Sequence, residues 1–384
     1  MSKNYDFAVI GAGVFGAWTT HFLRRSGASV VLVDAYGPAN SRASSSGETR
    51  VIRMGYGPDE LYTRWAMRSL PLWREFSDRM GKVLFYQTGV LWLGSNADPY
   101  LKSLFNVLTG AGVECEQLAA GEIARQWPQL HFPDVSWGIL EPASGVLLAR
   151  AAVQALVHES INSGVDFMPL AVETPRGTGR LAEIRTSSGE IISAGTFIFC
   201  CGPWLPKIFP ELLHERIFPS RQEIFFVGPP SGSADFRPPQ MPVWLHRTHP
   251  DLPYALPDIE GRGFKIAFDR HGELFDPDTG MRTVPEAQIK HLRTYLQSHI
   301  PALENAPVIE TRVCQYENTW NGDFLIDHHP DFENVWIAGG GSGHGFKHGP
   351  ALGEYLSACI LHNAPAEPRF ALAGKHTQQK RSVY

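Results

Sequence analysis

Cysteine is scarce in this chain and shows no pairing pattern. The 384 residues include five cysteines, and no two of them have the C-x-x-C spacing of redox and zinc motifs. An odd number of cysteines without such spacing argues against a disulfide framework. We therefore expect the protein to work in a reducing compartment.

Long apolar runs are also missing. No stretch of the sequence approaches the roughly 18 consecutive apolar residues that a membrane-spanning helix needs. The first residues contain no apolar run that could form the core of a secretory signal. The sequence thus predicts a soluble, cytoplasmic protein without a membrane partner.

Basic residues are not in excess. Lys and Arg number 34 against 39 Asp and Glu, which gives a net charge of −5. A nucleic-acid-binding protein usually carries a basic surplus, so no nucleic-acid partner is expected. The motifs H-E-x-x-H and G-x-x-x-x-G-K-[ST] are absent, and the adjacent His328 and His329 would point apart on a strand. No metal site is predicted.

Glycine and proline, by contrast, are abundant. The chain has 37 Gly and 29 Pro, and 43% of its residues are hydrophobic. No low-complexity tract accounts for the excess, which favours an enzyme-like chain with many shaped loops. The length corresponds to two or three domains of about 150 residues each.

A dinucleotide-binding pattern opens the chain. A strand, a helix and a second strand are predicted at residues 5–10, 17–26 and 29–34. The turn before the helix fits G-x-G-x-x-G, in which glycines let the backbone approach a pyrophosphate at the helix N-terminus. These glycines are Gly11, Gly13 and Gly16. Asp34 ends the second strand, where a carboxylate can accept hydrogen bonds from ribose hydroxyls. The pattern predicts dinucleotide binding and fits both FAD and NAD.

The pattern of elements indicates two interleaved domains. A strand at residues 334–338, a glycine cluster and a helix from about Ala351 repeat the strand–turn–helix order near the C-terminus, after a β-rich insert. We predict a discontinuous nucleotide domain of residues 1–82, 141–218 and 321–375. The second domain is predicted at residues 83–140 and 219–320, followed by a polar tail at 376–384. Residues from Lys375 onward are expected to be solvated.

Three later segments carry a family resemblance. They are Gly-Glu-Thr-Arg-Val-Ile-Arg at 47–53, Val-Cys-Gln-Tyr at 313–316 and Gly-Ser-Gly-His-Gly-Phe-Lys at 341–347. With the N-terminal fingerprint, the chain resembles the sarcosine oxidase branch of the FAD-dependent amino-acid oxidases as far as Glu354. The resemblance implies a Rossmann-type FAD-binding domain interleaved with a mixed β-sheet substrate domain, an α/β and β-rich fold of the glutathione-reductase type.

The resemblance also implies which residues contact the flavin. Composition alone favours Cys314 as a small buried hydrophobe. The corresponding cysteine of monomeric sarcosine oxidases, however, carries FAD as an 8α-thioether, so a covalent flavin is expected at Cys314. Cys200 and Cys201 are interpreted as structural residues of a core strand. The expected flavin contacts are Gly11, Gly13, Gly16, Asp34, Ser45, Thr49, Arg50, Cys314, Gly343, His344, Gly345 and Lys347.

Substrate and oxygen contacts follow from the same resemblance. It implies that Arg53 and Lys347 hold the substrate carboxylate, a role that suits a planar guanidinium and a nearby ammonium. Arg50 is expected near the flavin ring, and Lys265 matches the lysine that promotes reaction with oxygen. The tyrosines expected to line the substrate cavity are Tyr254 and Tyr316.

Asp269 departs from the family pattern. Sarcosine oxidases have a histidine at this position, whereas an acid resembles the fructosyl amino-acid oxidases. A carboxylate there would favour a substrate with hydroxyls or a positive charge. The alternative is that Asp269 turns away and pairs with Arg270 on the surface.

The resulting prediction is an FAD-dependent oxidase of the secondary amine of an N-substituted or cyclic α-amino acid. Hydride transfer, imine hydrolysis and reduction of oxygen to hydrogen peroxide would complete the reaction. Its partners would be the amine and oxygen, and the protein would be a monomer or small homo-oligomer. The alternatives are a fructosyl amino-acid oxidase, an NAD-dependent dehydrogenase and a non-catalytic flavoprotein.

Overall fold

The computed structural model describes residues 3–270 and 272–376, so residues 377–384 of the predicted tail lie outside the described part. The β-strands are β1 (Asn4–Ile10), β2 (Val30–Val33), β3 (Thr49–Ile52), β4 (Phe85–Gln87), β5 (Val90–Gly94), β6 (Glu116–Ala119), β7 (Trp137–Glu141), β8 (Gly145–Leu148), β9 (Asp166–Met168), β10 (Glu183–Arg185), β11 (Ile191–Phe199), β12 (Ile217–Val227), β13 (Val243–His246), β14 (Pro253–Leu256), β15 (Phe264–Phe268), β16 (Val308–Thr319), β17 (Leu325–His328) and β18 (Val335–Gly339). The α-helices are α1 (Val14–Arg25), α2 (Glu60–Met80), α3 (Pro99–Gly110), α4 (Ala120–Gln126), α5 (Ala149–Asn162), α6 (Leu205–Ile208), α7 (Pro210–Leu213), α8 (Glu286–His299) and α9 (Gly349–His362).

The first sheet is mostly parallel, in the order β17-β18-β11-β1-β2-β9, with β10 paired to β11. Its antiparallel pairs are those of β17 and β10. Val9 packs in one hydrophobic core, whereas its neighbours Ala8 and Ile10 pack in another. Because successive side chains point to opposite faces of a strand, the sheet is covered on both faces, as parallel sheets are.

Helix α1 follows β1 directly and packs on α9. Gly349 and Gly353, one turn apart on α9, face Trp18 of α1. A Cβ added to Gly353 would lie 2.6 Å from the main-chain carbon of Trp18. The missing side chain therefore sets how closely the two helices approach.

The second large sheet has the order β16-β12-β15-β14-β13-β5-β7-β6. Alternation along β13 again separates two cores, since Trp244 packs in one hydrophobic cluster and Leu245 in the other. Helix α8 contributes Leu292, Tyr295 and Leu296 to the cluster of Trp244. The opposite face of the sheet belongs to the core that also contains α1 and α2.

A small third sheet, β3-β8-β4, carries Arg50 on its first strand. The strand leads to α2, whose first turn is capped by Asp59. Arg369 donates hydrogen bonds to both carboxylate oxygens of Asp59, at 2.9 and 2.8 Å. These hydrogen bonds fix the segment around Arg369, late in the chain, to the start of α2.

Several predicted elements have different limits in the structure. Helix α1 begins at Val14, three residues before its predicted start, and α3 and α4 were not predicted. The expected solvation of Lys375 is wrong, because the side chain is buried and donates to the main-chain oxygen of Arg369 at 2.7 Å. The predicted boundaries of the two domains remain a proposal, based on the different strands of the two large sheets.

Among the helices in the described part of the chain, none combines the length and the apolar character that crossing a membrane requires.

The contact of α1 with α9 predicts the effect of a small substitution. Gly353→Ala should destabilise the protein by about 1–3 kcal/mol, because the new methyl group meets main-chain atoms that cannot move independently. Gly121→Ala is the matched control, since a Cβ on this helical glycine of α4 meets nothing within 4 Å. The control should be neutral or slightly stabilising in thermal unfolding. Equal melting temperatures of the two variants would contradict the packing argument.

Candidate active site

The glycine turn brings β1, α1 and the end of β11 into contact. Gly11 has φ +105°, and a Cβ on it would lie 2.3 Å from the main-chain oxygen of Cys200. A Cβ on Gly16 would in turn lie 1.8 Å from the oxygen of Gly11. Only glycine permits this conformation and this approach. The start of α1 thus lies at the cavity described below, and the amide of Val14 donates to Ser45 Oγ at 3.0 Å.

Asp34 lies beside this turn. Its carboxylate accepts hydrogen bonds from the main-chain amides of Ala12 and Tyr36, at 2.7 and 2.9 Å. Burial raises the pKa of Asp34, and the amide hydrogen bonds oppose that shift. The arrangement holds a carboxylate at the end of β2, where the sequence predicted a ribose contact.

A cavity of about 390 Å³ runs from the glycine turn and Asp34 to Cys314 and Tyr316 on β16. The expected flavin contacts that line it are Gly11, Gly13, Asp34, Ser45, Arg50, Cys314, Gly343 and Gly345. Four other expected contacts are not in its lining: Gly16, Thr49, His344 and Lys347. Cys200 and Cys201 follow the end of β11 and also line the cavity, although both were predicted inside a strand.

The cysteines of the cavity differ in their surroundings. Arg50 Nη2 lies 3.3 Å from Cys314 Sγ, and the same nitrogen donates to the main-chain oxygen of Ser44 at 2.8 Å. Cys314 thus lies in contact with a cationic side chain at the cavity wall. Burial raises the pKa of Cys200 and Cys201, which suits their predicted structural role.

Two buried acceptors in the cavity wall were missed by the sequence analysis. In the described part of the chain, Gln315 Oε1 and Glu317 Oε2 have no hydrogen-bond partner. The other carboxylate oxygen of Glu317 accepts from the amide of Gly341 at 3.2 Å, and burial raises the pKa of Glu317 to about 7. Buried acceptors of this kind need donors. Together with the glycine turn and Asp34, these two acceptors fit a bound dinucleotide that carries hydroxyl groups between its two ends.

A cluster of buried polar side chains lies next to Tyr316. Lys347 Nζ donates to Tyr56 Oη and to the main-chain oxygen of His344, both at 2.9 Å. The Arg53 guanidinium lies 4.4 Å from the centre of the Tyr56 ring and 4.7 Å from that of Trp92. Burial lowers the pKa of Lys347, and the positive charge of Arg53 lowers it further. The predicted pair Arg53 and Lys347 therefore shares one buried, cationic environment.

Glu141 holds the backbone that follows Arg53. Its carboxylate accepts from the amides of Met54 and Gly55, at 2.7 and 3.0 Å, and from the indole nitrogen of Trp92 at 2.7 Å. A fully buried carboxylate with several donors is satisfied. No motif in the sequence identified Glu141.

Asp269 faces this cluster and not the surface. Its Oδ1 accepts from the Tyr316 hydroxyl at 2.9 Å, and its Oδ2 is buried with no partner among the residues described. Burial raises the pKa of Asp269 to about 7, although Tyr316, Arg53 and Lys347 oppose the shift. Pairing with Arg270 is not observed, because Arg270 is exposed and lies 3.6 Å from Asp251.

Tyr254 and Lys265 come from neighbouring strands of the same sheet. Burial raises the pKa of Tyr254, and its hydroxyl interacts with Asp269 and Tyr316. Lys265 Nζ donates to the main-chain oxygen of Thr49 at 2.7 Å. Burial and then the charge of Arg50 lower the pKa of Lys265 well below its usual value. The predicted site residues Arg50, Lys265, Tyr254 and Asp269 thus lie around Cys314 and Tyr316.

Comparison with known proteins identifies the family. Residues 6–359 match the family described as DAO, FAD dependent oxidoreductase. The chain belongs to this family. It is 31% identical over 371 residues to a monomeric sarcosine oxidase of Bacillus sp. (strain B-0618), an alignment that covers 94% of this chain and 93% of the relative.

Solved structures support the same fold. L-proline dehydrogenase from P. horikoshii has a TM-score of 0.85 at 21% identity, covering 97% of this chain and 98% of that chain. Fructosamine oxidase (Amadoriase II) from Aspergillus fumigatus has a TM-score of 0.83 at 20% identity, covering 100% of this chain and 92% of that chain. The predicted fold class, an FAD-binding Rossmann-type domain interleaved with a mixed β-sheet domain, is confirmed.

Family membership also decides between the alternatives for cofactor and activity. The chain is an FAD-dependent amine oxidoreductase similar to sarcosine oxidases. The NAD-dependent dehydrogenase and the non-catalytic flavoprotein are therefore wrong. The roles of the individual site residues remain predictions.

The burial of Asp269 predicts a dependence of stability on pH. Its pKa is about 7 in the folded protein against 3.8 as an ordinary carboxyl group. The unfolded chain therefore loses this proton at lower pH, and the stability that Asp269 contributes is lost as pH rises from about 4 to about 7. At about 1.4 kcal/mol per pKa unit, the loss approaches about 4 kcal/mol. Asp269→Asn cannot ionise, so its melting temperature relative to wild type should rise by several degrees across this range.

Thermal unfolding at about pH 5 and about pH 8 measures this effect. The control is Asp235→Asn, which changes an exposed carboxyl group. Its melting temperature should follow that of wild type at both pH values. A constant difference between Asp269→Asn and wild type would contradict the buried position of Asp269.

Proposed function

We propose that this protein oxidises the secondary amine of an N-substituted or cyclic α-amino acid, with oxygen as the electron acceptor. One observation carries the proposal: the Tyr316 side chain, which lines the large cavity, donates to Asp269 beside Arg53 and Lys347. A buried cluster with the basic side chains Arg53 and Lys347 therefore adjoins the end of the cavity that contains Cys314, and it would bind an anion. An amino-acid substrate has the carboxylate that such a cluster selects.

The residues of the large cavity would hold FAD. The glycine turn and the first turn of α1 would contact its pyrophosphate, Asp34 its ribose, and Gln315 and Glu317 its hydroxyl groups. When bound, FAD supplies the acceptor for the hydride beside the substrate nitrogen and passes the electrons to oxygen, with hydrogen peroxide as the product. The imine formed from the substrate would then be hydrolysed by water.

The side chains of the cluster would bind and orient the substrate. Arg53 can offer two parallel hydrogen bonds to a carboxylate, and Lys347 adds a point charge. A bound carboxylate favours the charged form of Lys347, which burial disfavours. Fixing the substrate in this way lowers the entropic part of the barrier. Asp269 and Tyr254 would lie on the side of the amine.

Lys265 would act on the oxygen reaction. Its amino group is buried near Arg50, and its position is fixed by a hydrogen bond to the carbonyl of Thr49. Reduction of oxygen develops negative charge, and a fixed cation in a site of low dielectric constant stabilises that charge strongly. We therefore propose that Lys265 and Arg50 supply the positive charge in this step.

We further propose that Cys314 carries the flavin covalently. Its sulfur lines the cavity on the same strand as Tyr316, and the Arg50 guanidinium lies 3.3 Å away. The sulfur therefore faces the space that FAD would occupy, which is the placement that a thioether linkage to the flavin needs.

The covalent attachment predicts how colour partitions after acid precipitation. Wild-type protein should retain its yellow colour in the pellet, whereas Cys314→Ser should release it to the supernatant. Cys115→Ser is the control, because Cys115 does not line the cavity and should leave the colour in the pellet. Flavin in the wild-type supernatant would contradict the linkage.

Carboxylate binding predicts a selective loss of catalytic efficiency. Arg53→Ala and Lys347→Met each remove a charge-assisted contact of about 1.5–3 kcal/mol. The ratio kcat/KM for an N-methyl amino acid should fall by about ten- to a hundredfold. An N-methylamine without a carboxylate should be affected much less. The exposed Lys290→Met serves as control and should change neither substrate.

If kcat/KM fell equally for both substrates, Arg53 and Lys347 would not act by binding the substrate carboxylate.

Asp269 favours a second candidate, the oxidation of fructosyl amino acids. A buried carboxyl group with a free Oδ2 can accept hydrogen bonds from sugar hydroxyls or from a protonated amine. A small N-methyl group offers no such donor. Amadoriase II has a similar fold, which allows this chemistry without deciding for it.

Exchanging Asp269 for histidine distinguishes the two candidates. If Asp269 selects the substrate, Asp269→His should raise kcat/KM for sarcosine and lower it for a fructosyl amino acid, because the hydroxyl acceptor is lost. The kcat/KM values for sarcosine and for the fructosyl amino acid are measured by peroxide release in wild type and in Asp269→His. An unchanged ratio would place Asp269 outside the determinants of specificity.

A further inference from the structure

A second polar cluster lies on the face of the large mixed sheet that α8 covers. His246 is the last residue of β13, two positions after Trp244, so its side chain points to the same face. There its Nδ1 lies 2.9 Å from the Tyr295 hydroxyl of α8. Leu245, between them, packs in the opposite core. The side chain of His246 thus lies on the face of the sheet that is opposite to Leu245.

Asp134, His246 and His299 meet at this place. Asp134 Oδ2 lies 3.0 Å from His246 Nε2, and one potential ligand atom from each of the three residues lies within 4.8 Å of the others. Among the described residues they form the one such group found, and none of them lines the large cavity. His246 is buried, whereas Asp134 is exposed and His299 partly so, which gives an ion access from solvent.

The surrounding hydrogen bonds orient the three side chains as ligands. Tyr295 provides an oxygen for Nδ1 of each histidine: its hydroxyl for His246 and its carbonyl for His299, the latter at 3.1 Å. When Nδ1 carries the proton, Nε2 presents its lone pair. The Thr248 hydroxyl donates to Asp134 Oδ2. Hydrogen bonds that hold the ligand side chains in place in this way are typical of metal sites.

We propose that Asp134, His246 and His299 bind a divalent transition-metal ion of the zinc type. Two imidazoles and one carboxylate suit zinc and its neighbours, whereas magnesium and calcium prefer oxygen ligands. Three protein ligands leave a fourth position for water. Ligand atoms around tetrahedral zinc are about 3.3 Å apart, so a modest rotation of the two accessible side chains closes the site.

His249 lies near the group without joining it. Its ring centre is 5.9 Å from that of His299, but its Nδ1 accepts the amide hydrogen of Asp251 at 3.2 Å. The proton of the neutral ring is therefore on Nε2, which then cannot bind a metal. His291 pairs with Asp251 at 3.2 Å. Both histidines are thus outside the proposed ligand set.

A metal ion here would connect three segments distant in the sequence: the loop before β7, the end of β13 and the C-terminal end of α8. The sequence predicted no metal site because these ligands share no local spacing. An ion that binds only the folded protein stabilises it. The proposed effect is structural and independent of the oxidation reaction.

Zinc binding to the tag-free, chelator-treated holoenzyme tests the proposal. Titration against a chromophoric zinc chelator should show one equivalent per chain. Asp134→Asn and His299→Ala should each weaken binding by more than a hundredfold, and Tyr295→Phe by about ten- to a hundredfold. His291→Ala, on the same helix, is the matched control and should bind as wild type does. Magnesium and calcium should not compete.

Thermal unfolding provides the second measurement. Zinc should raise the melting temperature of wild type and of His291→Ala, but not of Asp134→Asn, which keeps the size of the side chain. The proposal is overturned if wild type binds no stoichiometric zinc, or if Asp134→Asn and His299→Ala bind it as tightly as wild type. Neither readout depends on activity, so the result is separate from the proposed function.

Discussion

Charges that are buried together dominate the centre of this structure. Arg53, Lys265 and Lys347 are nearly inaccessible to water, and so are Glu141 and Asp269. Removing a charge from water costs several kcal/mol unless hydrogen bonds and opposite charges replace the solvent. Here the replacements join two different sheets: the carbonyl of Thr49 on β3 accepts a hydrogen bond from Lys265 on β15, and Glu141 on β7 fixes the backbone after Arg53. The position of each side chain therefore depends on the mutual packing of the sheets.

Local sequence was enough to predict the parts of the site that local geometry determines. The turn at Gly11 requires a positive φ and close contact with the end of β11, and both leave a glycine pattern. Cys314 and Tyr316 are two residues apart on one strand, so their common position at the cavity follows from the alternation of a strand. The family resemblance added the identity of the cofactor, which the fingerprint by itself could not give.

The rest of the site could not be predicted because it depends on contacts between distant residues. Glu141 and Met54, whose atoms are 2.7 Å apart, are separated by 87 positions. The environment of Asp269 comes from Tyr316, Arg53 and Lys347, which lie on separate elements. Lys375 gave a wrong prediction for the same reason. A basic residue in a polar segment was expected in solvent, but its side chain is buried and donates to the side-chain oxygen of Asn321 and the main-chain oxygen of Arg369. The composition of a segment shows only that it is polar, whereas the burial of a side chain depends on which other segments pack against it.

The same charges connect substrate binding with the protonation of Asp269. Arg53 and Lys347 lower the pKa of this carboxyl group, while burial raises it more strongly. In the proposed complex a substrate carboxylate would neutralise those two cations and weaken their effect, so the pKa of Asp269 would rise above about 7. In that complex a neutral Asp269 would face a neutral amine as a hydrogen-bond donor, whereas a protonated amine would keep the carboxylate ionised. The charge of the amine would therefore decide which form of Asp269 is present, and the neutral amine, from which hydride departs, would accompany the protonated acid.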